Sequence, residues 1–171
     1  LARRPEDEIP IRKQLGILNQ SRKSYPEAIR QYQRILELDP NDRTTRKILA
    51  FLLFSQEDQE ASLKEAETLL KDEPADFQLQ LVRREILKNR DRAAEAQEGF
   101  LKGFEAAIEQ SQEEDIQFYL VELAREDTLQ ELGELHRLDT LNTLLEKCRK
   151  KFPKIPRVLF VMAKTAQSTP D

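Results

Sequence analysis

The chain has 171 residues, 35% of them charged and 39% hydrophobic, with 4 glycines and a net charge of −4, a length that suits one domain or one short helical array. A pI near 5.3 argues against broad nucleic-acid binding, which needs a concentrated cationic surface to neutralise phosphates. One cysteine and one histidine exclude a disulfide framework and a structural zinc site, so no metal or cofactor is expected.

Good helix formers dominate and no window alternates at period two, which predicts an all-α chain. Residues 1–10 are polar, hold Pro5, Pro10 and the Arg3-Arg4 pair, and read as a lead-in to a single α-helical domain over 11–171. The spacing predicts a helix over 11–21 with Ile11, Leu15 and Leu18 on one apolar stripe and Gly16 where a partner helix approaches. Ser24 and Glu27 have the spacing of a capping box, with Pro26 in the first turn. The helix that follows buries Ala28, Ile29, Tyr32, Ile35 and Leu36 and stops at Asp39-Pro40-Asn41-Asp42, where Asp42 caps the next helix. Helices over 43–55 and 58–72 repeat the plan up to Pro74, and Asp76 caps another reaching residue 89.

After Asp91, Ala96 and Phe100 keep their places, but Ile108 stands where a proline is due, so this helix runs longer. Gly99 and Gly103 share one of its faces, a spacing that predicts close packing against a neighbour. Glu113, Glu114 and Asp115 then suit the start of a helix, where acidic groups complement the dipole. Apolar spacing predicts helices over 114–125, 128–137, 139–151 and 156–166.

A period joins the first three helix pairs. Pro40 and Pro74 lie thirty-four residues apart, as do Leu15-Gly16 and Leu49-Ala50; Ala28, Ser62 and Ala96 follow the same step, and so do Tyr32, Ala66 and Phe100. With these marks the chain resembles the tetratricopeptide repeat family, in units 9–42, 43–76 and 77–110, followed by degenerate helices over 113–166. Arg12 and Arg46 depart from the family by standing where an early aromatic belongs, and Arg83-Arg84 replace leucine and glycine, leaving a one-residue slip of register open. The resemblance implies a helix-turn-helix solenoid, a right-handed superhelix with atypical C-terminal helices, whose first helices line a concave groove that binds peptides or protein segments.

No chemistry for an enzyme is visible. There is no phosphate-cradling Gly-rich loop, and the residue three before His136 is Gly133, which rules out the Glu-x-x-His pair of di-iron bundles. His136 reads as an ordinary partly exposed histidine and Cys148 as a buried structural thiol. The resemblance places Lys13, Ile17, Lys47, Phe51, Phe54, Leu81 and Lys88 in the groove, apolar with a basic fringe; alternatively residues 48–54 are apolar because their helix is packed on all sides. The positions of the family's carboxylate clamp hold Lys13, Ile17, Ile48, Gln78 and Val82, so binding of the acidic Hsp70 or Hsp90 C-terminal peptide is not expected.

The densest cationic run is Lys147, Arg149, Lys150, Lys151, Lys154 and Arg157. It suits a helix C-terminus, or a docking patch for an acidic surface such as residues 105–115 of a second copy, which would give a weak homo-oligomer. The longest apolar run, Ile48 to Phe54, is far shorter than the roughly 20 residues needed to cross a bilayer, so no membrane insertion is expected. The single thiol is compatible with a reducing cytosol, which leaves the compartment open with the cytoplasm weakly favoured. The expected function is a non-catalytic scaffold binding a peptide or protein segment in its groove, or alternatively a self-associating or complex-assembly scaffold.

Overall fold

Ten helices and no strand occupy residues 5–168, the part of the chain that the computed structural model describes. Their contacts gather into two compact units, Leu1–Asp72 and Glu73–Asp171, where the sequence reads as one domain. The first unit holds α1 (Pro5–Ser21), α2 (Tyr25–Leu38), α3 (Arg43–Ser55) and α4 (Gln59–Leu70). The second holds α5 (Phe77–Lys88), α6 (Ala93–Gln110), α7 (Glu113–Leu123), α8 (Glu126–Glu134), α9 (Leu138–Lys151) and α10 (Pro156–Ser168).

In the first unit α1 packs on α2, α2 on α3 and α3 on α4. Ala28, Tyr32, Ile35, Leu49, Leu52 and Leu53 form the core. Gly16 lies directly beneath Tyr32: a Cβ there would sit 2.7 Å from the ring, and the Tyr32 hydroxyl donates to Gln20 Oε1 at 2.5 Å. The period's small position is occupied by Ser62, whose buried hydroxyl donates to the Ala50 carbonyl at 2.8 Å. Asp42 and Asp76 cap α3 and α5 as expected, accepting from the Thr45 and Leu79 amides at 2.9 and 3.0 Å.

Three sequence expectations change here. Helix α1 begins at Pro5, within the stretch read as a polar lead-in, because Glu8 accepts from Arg12 at 2.5 Å and from Arg34 of α2 at 3.1 Å while Ile9 packs on the core. These contacts hold the first turns in place although Pro10 removes one helical N–H. Ser24 is the N-cap of α2 but makes no side-chain capping bond; Pro26 removes one amide donor and Glu27 pairs with Arg30 at 2.6 Å instead. The stripe of Ile11, Leu15 and Leu18 faces solvent.

The three period-related hairpins turn in the same way. Ser24, Asp58 and Arg92 donate their amides to the carbonyls of Asn19, Leu53 and Leu87, five residues back, and the residue before each, Lys23, Glu57 and Asp91, has a φ near +60° (60°, 63° and 57°). The third hairpin therefore shows no slip of register at its turn.

In the second unit α6 packs on α5, α7 and α9, and α10 packs on α7, α8 and α9. Phe77, Phe100, Phe104 and Tyr119 meet there, with Phe100 and Tyr119 ring centroids 4.9 Å apart. The two glycines of α6 admit long side chains: the Arg83 guanidinium lies over Gly99, and the Tyr119 hydroxyl and Gln80 lie over Gly103. Arg84 is buried, donating to Glu122 of α7 at 3.1 Å and to the Thr128 hydroxyl of α8 at 2.9 Å. Its guanidinium carbon lies 4.8 Å from the Phe100 ring centroid. The Arg83-Arg84 pair thus joins four helices where the family pattern has leucine and glycine.

Candidate protein-docking surface

Helix periodicity decides which side chains the second unit leaves outside. Ile116, Tyr119, Leu120 and Leu123 turn the inner face of α7 into the core, while Phe118 and Val121 lie off that stripe and remain exposed. On α10, Val158, Val161 and Thr165 are buried, and Leu159 and Phe160 are exposed. The two helices pack on each other, and Gln117, Pro156, Arg157 and Phe160 line a cleft of about 460 Å³ between them.

Neighbouring contacts fix these groups. Phe118 stacks on Phe77 of α5 with centroids 5.5 Å apart and rings inclined by 20°. Asp115 accepts from the Phe77 amide at 3.3 Å. Lys164 donates to the Ala124 carbonyl at the end of α7 at 3.1 Å and lies 5.5 Å from the Phe160 ring centroid, a cation held over the negative face of an aromatic ring. Exposed aromatic and aliphatic groups with cations at their edge favour a bulky apolar segment carrying acidic residues.

The sequence-predicted groove residues fall in both units. In the first, Lys13 is engaged by Asp42 at 2.7 Å. Burial alone would raise the Asp42 carboxyl, but the Lys13 ammonium and the bonds from Thr45 outweigh it and hold the group below its ordinary value. Ile17 is exposed, and Ile48, Phe51 and Phe54 are half-buried, so residues 48–54 are not enclosed on all sides. Lys47 lies 5.9 Å from the Phe51 ring centroid. In the second unit Leu81 is half-buried. Lys88 is tied to Glu131 at 2.8 Å, a carboxylate that also accepts from Gln97 at 2.6 Å, and so forms an internal bridge between α5 and α8 rather than a free basic fringe.

The basic run is also partly used internally. Lys147 pairs with Glu105 of α6 at 2.6 Å, within one chain rather than between two copies, because α9 packs alongside α6. Lys151 donates to the Ile108 and Glu109 carbonyls at 2.7 and 2.8 Å, closing the C-terminus of α6 rather than its own helix. Arg149 pairs with Glu146 at 2.9 Å, while Lys150, Lys154 and Arg157 are exposed.

Sequence reasoning missed Phe118, Val121, Leu159 and Phe160. The available signal was a surplus of apolar residues: α7 and α10 each carry more than one core stripe can bury. Among the described residues no group of three or more metal-binding side chains converges. His136 is exposed at a turn with φ 54°, and burial pushes the Cys148 thiol up to about 11.

No family model and no curated protein matches the chain. Among solved structures, the crystal structure of MamA protein, which contains tetratricopeptide repeats, aligns with a TM-score of 0.53 over 95% of this chain and 87% of that one, at 13% identity. At that identity the likeness concerns the fold, which is all-helical and tetratricopeptide-like.

Proposed function

We propose that the protein is a non-catalytic scaffold whose second unit binds a protein segment across α7 and α10. The observation that carries this reading is the exposure of Phe118, Val121 and Phe160 beside the cleft edged by Arg157. Burying such groups contributes roughly 25 cal/mol per Å² before the costs of association are subtracted. Arg157 supplies orientation through an acidic residue of the ligand. The tetratricopeptide-like fold supports a protein partner, and the engagement of Lys13 by Asp42 supports the expectation that the Hsp70 and Hsp90 C-terminal peptides are not ligands.

Selection of a displayed peptide library on the full chain tests the proposal. Sequences combining bulky apolar and acidic residues are expected to enrich, and Phe160→Glu and Phe118→Glu to abolish their binding. No enrichment, or binding that both variants retain, would refute it.

A further inference from the structure

The cationic run of the second unit leaves three side chains unspent. Lys147 and Arg149 pair with Glu105 and Glu146, whereas Lys150, Lys154 and Arg157 are exposed and have no acidic partner among the described residues. Two prolines explain why the three lie together. Pro153 follows the end of α9 and Pro156 opens α10. Between them the Ile155 amide donates to the Phe152 carbonyl at 3.1 Å, closing a four-residue turn that carries Lys154. Lys150 stands in the last turn before this joint and Arg157 in the first turn after it. The joint is interior to the chain, with α9 and α10 packed on each other.

Two clefts, each of about 460 Å³, open beside the joint. Ile108, Glu109, Lys147, Lys150 and Lys151 line one, at the end of α6. The other is the cleft of the docking surface, where Arg157 stands next to Phe160. Lys147, Lys150, Lys151, Lys154 and Arg157 thus gather where the paired acid is Glu105 and the cleft's own acid is Glu109, in a chain whose net charge is −4. A compact cationic excess of this kind attracts a short carboxylate-rich segment, while a nucleic acid requires a more extended basic face. A second copy is a poorer source of those carboxylates, because Glu98, Glu122, Asp127 and Glu131 each pair with a cation of their own unit.

We propose that the joint holds the acidic half of a bipartite protein segment whose bulky apolar half lies over Phe118 and Phe160. The proposal rests on the reading of α7 and α10 given above and adds where the acidic run lies, on the Lys150 side of Arg157 and towards the end of α6. Exposed ion pairs are individually weak and are screened by salt. The signature of the joint is therefore a salt-sensitive gain in affinity on top of the apolar contact.

The probes are two fluorescent peptides of about twelve residues, each with a Leu-Phe-Leu triad. One adds a run of glutamates and the other the same run of glutamines, each made with the run at either end. In anisotropy with the full chain at about 0.05 M salt, the better glutamate peptide should bind at least about tenfold more tightly than its glutamine counterpart, and the advantage should vanish at about 0.5 M. Lys150→Glu/Lys154→Glu should remove the advantage and leave the affinity of the glutamine peptide unchanged; Lys150→Gln/Lys154→Gln replaces it if the reversal lowers the melting temperature. Equal binding of the two peptides, or an advantage that survives the variant, overturns the inference and leaves the reading of α7 and α10 standing. Glutamate-peptide binding that Phe160→Glu does not weaken refutes that reading and the bipartite ligand with it. Tighter binding of phosphatidylserine-containing vesicles or of a single-stranded oligonucleotide, removed by the same variant, overturns the assignment to a protein segment. Concentration-dependent mass in sedimentation that the variant abolishes also overturns it, giving the joint to a second copy.

Discussion

Replacing Arg84 with alanine strands the Glu122 carboxylate, which is 16% exposed and, among the described residues, is otherwise paired with Arg125 alone, at 3.6 Å. Removing one partner of a buried ion pair costs about 3–5 kcal/mol. Arg125 recovers a share by turning inward, which places the charge contribution near the lower end, and the lost Thr128 bond adds about 1 kcal/mol. Arg84→Met keeps an unbranched stem over Phe100 and should cost less than alanine. Arg84→Met combined with Glu122→Gln should recover about 1–2 kcal/mol relative to Arg84→Met alone, because no stranded charge remains. Urea unfolding of the full chain by circular dichroism measures all three, with tyrosine fluorescence as a second probe of whether one transition suffices. A cost below about 1 kcal/mol for Arg84→Ala, or no recovery in the double variant, would refute the view that this guanidinium holds α5 against α7 and α8.

Gly103→Ala should destabilise by about 1–3 kcal/mol through overpacking, since its Cβ would fall on the Tyr119 hydroxyl and Gln80. Gly133→Ala, whose Cβ meets only Leu138 at 3.6 Å, should be neutral or stabilising in the same thermal melts. Because the Asp42 carboxyl, which burial alone would raise, is held below its ordinary value of 3.8 in the folded chain by Lys13 and Thr45, its contribution is present above that value and lost as pH falls through the folded value. The gap in melting temperature between the parent chain and Asp42→Asn should accordingly close in acid and be full at neutrality. With its thiol raised to about 11 by burial, Cys148 should resist Ellman's reagent in the native chain at mildly alkaline pH and react at once in urea; rapid native labelling would contradict its placement.

Local chemistry was readable in the sequence. Asp42 and Asp76 announce their helix starts by residue type and position, and the glycine pair of α6 announces a close approach, because each depends on neighbours within a turn or two. What helical spacing does not encode is whether anything lies opposite. Ile11, Leu15 and Leu18 resemble Leu49 and Leu52 in pattern, yet among the described helices only the latter pair meets a preceding one. Charged residues were misjudged for a related reason. Arg84 stands out in the sequence only as a departure from the repeat, and Lys88 reads as a groove group, until the fold brings up Glu122, Thr128 and Glu131 from later helices; Lys147 finds Glu105 only when α9 lies beside α6. The existence of α7 and α10 was legible, while their surplus apolar residues were not recognised as a surface.

The repeated turn has a mechanical consequence. Lys23, Glu57 and Asp91 each hold a left-handed backbone conformation that costs an L-residue about 1–2 kcal/mol, and all three side chains are exposed. Each hairpin therefore has one residue, outside any core, at which its stiffness can be adjusted. Glycine there relieves the strain and a β-branched residue increases it, with little change to what the helices bury. The amides of Ser24, Asp58 and Arg92, which close the three turns, should report the adjustment as slower or faster hydrogen exchange. Compliance in this chain is thus set joint by joint, independently of the surfaces that meet a partner.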